Sequence, residues 1–214
     1  MVIKYTKNEE VANSITHVIG LLIIIASNIY FLINIPQSMD VTMYVLGIAL
    51  YVFGGGMSYL ASALYHSSPL LSKRRQRLRK FDHAAIYCHI AGSYSPIILS
   101  GMSERQEWGW ILFCIVWICA VIGTIISCRG LKEHSNIETI CFVSMGLVLL
   151  IAFDKVLFCI GWQAMGWIIA EGVAFIVGAL FYSFNKIRYM HTVFHVFVIM
   201  GSICHITALY YILQ

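Results

Sequence analysis

The sequence predicts an all-α fold: a polytopic integral membrane protein built as a seven-transmembrane helix bundle with its N-terminus in the cytoplasm. Three observations carry the prediction. The 214 residues are 60% hydrophobic and only 11% charged, with a mean hydropathy of +0.82, whereas soluble domains carry about 25% charged residues. Seven apolar stretches approach the length of about 20 residues that a helix needs to cross a hydrocarbon core about 30 Å thick. The basic residues, finally, segregate to one side when all seven stretches cross. Disordered, collagen-like and disulfide-scaffold chains are excluded by 14% aromatic content and only 3 prolines.

The first stretch, 15–35, is too long for a signal-peptide core, lacks a small-residue cleavage site and is expected to stay as a span; Pro36 follows it. The second, 41–65, contains Gly54, Gly55 and Gly56 and ends at Ser67, Ser68 and Pro69. With no strand or basic phosphate-loop residue beside them, these glycines predict close helix approach. The third, 82–101, carries Pro96, which predicts a kink, and closes at Gly101. The fourth, 108–128, precedes Gly130, and 136–154, 161–184 and 189–213 complete the set. No repeat or second domain is visible, so residues 1–214 read as one seven-helix membrane domain. The seven cysteines form no C-x-x-C pair and read as free thiols.

Charge sets the orientation. Lys4, Lys7, the six basic residues of 73–80, Arg129, Lys132, Lys186 and Arg188 fall on one side, leaving only Arg105 and Lys155 on the other. That bias predicts a multi-pass protein of the cell membrane with a cytoplasmic N-terminus and an extracytoplasmic C-terminus. A net charge of +4, concentrated in the run Lys73–Lys80, marks topology and lipid headgroups and gives no reason to expect nucleic acid.

Ionisable groups at membrane depth are costly and usually face a bundle interior or a water-filled cavity. Here they converge on one layer near the cytoplasmic face. Glu10, Asn13 and His17 share one helical face at i, i+3 and i+7; Ser62 and His66 lie at i, i+4; Asp82 opens the third stretch; His191 and His195 open the seventh, again at i, i+4. The last pair projects two imidazoles from one side of a helix with Cβ atoms about 5–6 Å apart. With His66 they form a three-histidine set of the kind that leaves a fourth position open in catalytic zinc centres. His17 reads equally as an interfacial residue or as part of the site. His205 lies ten residues past His195, about 15 Å along a straight helix, and reads as a hydrogen-bonded bundle histidine. His83, His89 and His134 read as structural. Glu171 reads as an interhelical hydrogen bond, with a proton relay as the alternative.

These motifs resemble those of the haemolysin III family, the bacterial branch of the progestin and adipoQ receptor superfamily. They are Glu10-Val11-Ala12-Asn13-Ser14-Ile15-Thr16-His17, Ser62-Ala63-Leu64-Tyr65-His66, Phe81-Asp82-His83-Ala84-Ala85-Ile86 continuing to Ser95-Pro96, and His191-Thr192-Val193-Phe194-His195 followed by His205. The resemblance implies a seven-helix bundle with a cytoplasmic N-terminus, and zinc on three histidines matching His66, His191 and His195. It also implies that an aspartate matching Asp82 holds water at the metal, with Ser62 matching a nearby serine of the motif. Since the superfamily includes alkaline ceramidases, the activity implied is zinc-dependent hydrolysis of an acyl amide or ester reaching the site from the bilayer. Asp82 and Ser62 are then the catalytic residues, with Glu10, Asn13 and His17 fixing the ligands. Two other readings stand beside it: a non-enzymatic sensor whose metal is structural, and a haemolysin-like pore or transporter.

Overall fold

The computed structural model describes residues 5–129, 136–184 and 186–214. Lys4, Gly130, Lys132 and His134 lie outside the described residues. The chain folds into α1 (Lys7–Ile33), α2 (Val41–His66), α3 (Lys73–Pro96), α4 (Gln106–Arg129), α5 (Asn136–Gly146), α6 (Phe153–Ser183) and α7 (Met190–Ile212). No strand occurs among the described residues. All seven apolar stretches are helical, and the chain is a multi-pass, all-helical membrane protein. Five continuous helical runs are by length and composition able to cross a membrane: Lys7–Ile33, Val41–His66, Ser103–Arg129, Ile137–Ser183 and Met190–Ile212.

The two remaining stretches are organised differently from their sequence outline. The third sits in α3, whose first two turns are the basic run, so the helix as a whole is too polar to count as an apolar crossing. Pro96 closes its regular part, and the chain widens into a π-helical turn, Ile97–Gly101. The fifth and sixth share one run of 47 residues. Within it, a 3-10 turn at Val148–Ala152 follows α5, and α6 breaks at Gly161, where φ is 73° and ψ 167°. Only glycine adopts that geometry without strain, and the break falls at the start of the sixth stretch.

Local chemistry starts the helices that position the interior. Thr6 caps α1 in a reciprocal box with Glu9, Asp40 accepts the amides of Thr42 and Met43 at the start of α2, and Ser72 accepts that of Arg75 at the start of α3. The first residue of α7 has no such cap; Tyr189 before it is left-handed, with φ 62°. Its amide donates instead to Glu9 Oε1 at 2.9 Å, tying the beginnings of α1 and α7 together. The α2/α3 pair is the closest in the bundle. A Cβ at Gly54 would overlap the backbone of Cys88, and one at Gly92 would stand 2.7 Å from Leu50 O, so glycine permits backbone contact here. Outward faces carry exposed Ile, Leu, Val and Phe side chains, as a lipid-facing exterior requires.

Candidate metal centre

The buried ends of α1, α2 and α7 bring four imidazoles together. His17, His66 and His195 each offer a ring nitrogen within 4.8 Å of the others, and all three are buried. His191 closes the group, its ring centroid 4.3 Å from that of His195 and its Nε2 3.4 Å from His66 Nε2. Helical spacing explains this convergence: the i, i+4 pair on α7 projects both rings toward α1 and α2, where His17 and His66 face inward.

His66 is oriented by a carboxylate. Glu10 Oε2 accepts from His66 Nδ1 at 2.7 Å, so the proton sits on Nδ1 and the Nε2 lone pair points at His191. Carboxylates fix metal-binding imidazoles in the same way, setting the tautomer and raising ligand basicity. Glu10 is held in turn by the buried Arg75, whose guanidinium also donates to Tyr65 O at 3.0 Å and Ser68 O at 2.9 Å. Asn13, fully buried, accepts from Thr192 Oγ1 at 2.6 Å through its amide oxygen and lays its nitrogen 3.5 Å from His66 Nδ1. Thr16 Oγ1 lies 3.4 Å from His195 Nδ1. Over the cluster, the Tyr5 ring stacks on His191 at 4.9 Å. Burial, reinforced by Tyr182, raises the Tyr5 phenol well above its ordinary value, so it stays protonated.

The donor set fits a metal ion. Both ring nitrogens of His17 and Nδ1 of His191 are buried and meet no hydrogen-bond partner among the described residues. Buried imidazole nitrogens are ordinarily satisfied, and several neutral imidazoles turned on one point form the donor set of borderline metals.

Asp82 is not among the clustered donors. Its Oδ1 accepts from Ser62 Oγ, and its Oδ2 stands 3.8 Å from His83 Nδ1. The expected Ser62–Asp82 neighbourhood therefore exists, and His83, read as structural, donates to Arg79 O at 3.1 Å. His17, expected to support the ligands, has a ring nitrogen within 4.8 Å of those of His66 and His195 and is a member of the cluster. Arg75 was hidden in a basic run read as a topology signal, yet it lies seven residues before Asp82, on the same helical face. That spacing was the available clue. Tyr5 and Thr192 gave none.

The comparisons with known proteins identify the family. The family model described as haemolysin-III related matches residues 5–206. The chain belongs to the haemolysin-III-related family. It is similar to hemolysin-3 of Bacillus cereus, 32% identical over 200 residues covering 91% of this chain and 87% of that protein. The hemolysin-3 homolog of Bacillus subtilis is 30% identical over 202 residues, with 92% and 91% covered. The chain is also similar, more distantly, to an adiponectin receptor protein of Drosophila melanogaster, 24% identical over 217 residues, covering 92% of this chain and 49% of the receptor. All four histidines of the cluster fall within the matched family region.

Proposed function

We propose that this protein is a zinc-dependent intramembrane hydrolase of lipid acyl amides or esters. In this reading seven spans cross the cell membrane, the N-terminus is cytoplasmic, and the metal centre lies near the cytoplasmic face. The observation that supports it is the buried cluster of His17, His66 and His195, with the His191 ring beside His195 and its Nε2 3.4 Å from His66 Nε2, and with Glu10 fixing the His66 tautomer. Zinc held by these imidazoles would supply Lewis acidity, lowering the pKa of water to about 7 and polarising a carbonyl. Asp82 takes the proton of the attacking water and returns it to the leaving amine or alcohol. Ser62, donating to Asp82 Oδ1, aims the other carboxylate oxygen. Glu10 and Asn13 keep the ligand rings in place, and the half-buried Tyr5 ring, stacked on His191, limits water entry from the N-terminal side. The apolar exterior sets acyl chains alongside the site, so membrane lipids are both solvent and substrate source.

A second reading has a specific observation in its favour. His17 shares the cluster with its two ring nitrogens unpartnered, and four imidazoles would close a tetrahedral site, the arrangement of structural metals. The protein would then be a sensor or signalling protein rather than a hydrolase. Hydrolysis of a panel of N-acyl and O-acyl lipids by the detergent-purified, zinc-loaded protein separates the two. Turnover that disappears in Asp82→Asn while zinc stays bound supports the hydrolase. Bound zinc with no turnover on any lipid, or turnover unchanged in Asp82→Asn, overturns it.

A further inference from the structure

A second polar centre lies deeper in the bundle, away from the histidine cluster. His205, buried on α7, shares a 2.9 Å hydrogen bond between its Nδ1 and Oε2 of Glu171 on α6. Ten residues separate it from His195, about 15 Å along the helix. A hydrogen-bonded bundle pair accounts for Nδ1 only. His205 Nε2 is buried with no partner among the described residues, and so is the hydroxyl of Tyr51, whose ring centroid stands 5.0 Å from that of His205. Thus the imidazole is engaged by a carboxylate on one side and left open beside a phenol on the other.

Polar side chains continue from this centre in both directions. Toward the cluster, Ser202 occupies the same face of α7 one turn before His205 and lies 2.7 Å from Tyr59 Oη. The Tyr59 ring is 5.6 Å from His89 and 5.9 Å from His17. Toward the other end, Ser100 carries a buried, unpartnered hydroxyl in the π-helical turn. Gly101 next to it would meet Ile212 within 2.6 Å if it had a Cβ, so this turn packs on the last turn of α7. Buried groups able to donate and accept protons therefore occur from the level of His17 to the far end of α7.

We propose that His205 and Glu171 form a proton relay at the centre of this string, and that the protein conducts protons along it between the two faces of the membrane. Intramembrane Glu and His chains of this kind mark proton paths in pumps and transporters. Each transfer is balanced within the pair. A proton arriving from the Tyr51 hydroxyl side bonds to His205 Nε2, the proton on Nδ1 passes to Glu171 Oε2, and the carboxylic acid releases it onward; a flip of the ring then turns its remaining N–H toward Glu171 and its bare nitrogen toward Tyr51, which resets the pair, and nothing is oxidised or reduced. The titratable groups within electrostatic reach of Glu171 are Tyr51 from α2, Tyr94 from α3, and Cys204 and His205 from α7; those near His205 are Glu171, Tyr51 and His89.

The test uses the full-length protein in sealed vesicles enclosing a pH-sensitive dye, with a potassium gradient and valinomycin setting the membrane potential. The wild type is expected to acidify the lumen faster than protein-free vesicles, and Glu171→Gln and His205→Phe to fall to the protein-free rate. Glu171→Asp should restore part of the flux, and Tyr51→Phe, which keeps the ring and removes the hydroxyl, should lose it. Bound metal is measured in each variant and should be unchanged, which separates failure of the relay from failure of the metal centre. If Glu171→Gln does not fold, Tyr51→Phe decides. A wild type no faster than protein-free vesicles, or variants that conduct as the wild type does, overturns the relay.

Discussion

Arg75 gives the sharpest stability prediction, because it is a charged residue hidden among look-alikes. In Arg75→Ala the buried Glu10 carboxylate loses its guanidinium partner, the Ser68 carbonyl loses its donor at 2.9 Å, and the Tyr65 carbonyl loses the guanidinium at 3.0 Å and keeps only the Ser68 amide. The Arg75 guanidinium also lies 4.3 Å over the Tyr65 ring, and the truncation removes this cation–π stacking as well. Breaking a buried ion pair from one side costs about 3–5 kcal/mol, since the remaining charge stays buried and uncompensated. At about 2–4 °C per kcal/mol for a chain of this size, the melting temperature should fall by about 10 °C. The assay is thermal unfolding in detergent followed by tryptophan fluorescence, with Arg77→Ala, an exposed member of the same basic run, as control. Adding Glu10→Gln to Arg75→Ala should recover part of the stability, because the orphaned charge goes with it. Melting of Arg75→Ala together with the wild type and Arg77→Ala would refute the buried-pair reasoning, as would a double variant showing the plain sum of two losses.

Other consequences follow from the same geometry. Glu10→Gln removes the carboxylate that fixes His66 and should weaken metal binding about 10–100-fold in a competition titration against a chromophoric chelator. Gly54→Ala forces a Cβ into the Cys88 backbone and should lower stability by about 1–3 kcal/mol in the melting assay, whereas Gly56→Ala, whose Cβ meets nothing nearer than 3.9 Å, should be nearly silent.

The helices and the convergence of the site were legible in the sequence because both rest on periodicity. Apolar stretches of bilayer length become helices whatever their neighbours, and the face Glu10, Asn13, His17 and the pair His191, His195 are set by 3.6 residues per turn. What escaped depended on which helix packs against which. Arg75 differs from Arg74 and Arg77 in facing the Glu10 carboxylate of α1, and within the basic run only its spacing of seven residues from Asp82 marks it. His17 passes from supporting residue to cluster member only once the tilt of α1 sets its ring 4.0 Å from that of His195. The interruption of the fifth stretch after Gly146 was equally hidden, because its residues are uniformly apolar and hydropathy does not register a 3-10 turn. Glu171 and His205 were each visible as isolated polar residues; their partnership required the α6/α7 contact.

The central claim is that the four-histidine cluster holds a metal, and the direct measurement is the metal content of the detergent-purified protein by plasma mass spectrometry. Wild type is compared with His17→Ala, His66→Ala, His191→Ala and His195→Ala. The account predicts a single zinc ion per chain in the wild type and its loss in His66→Ala, His191→Ala and His195→Ala, with His17→Ala reporting whether the fourth imidazole is a ligand. No bound metal in the wild type after zinc supplementation, or full retention in the His66, His191 and His195 variants, would contradict it.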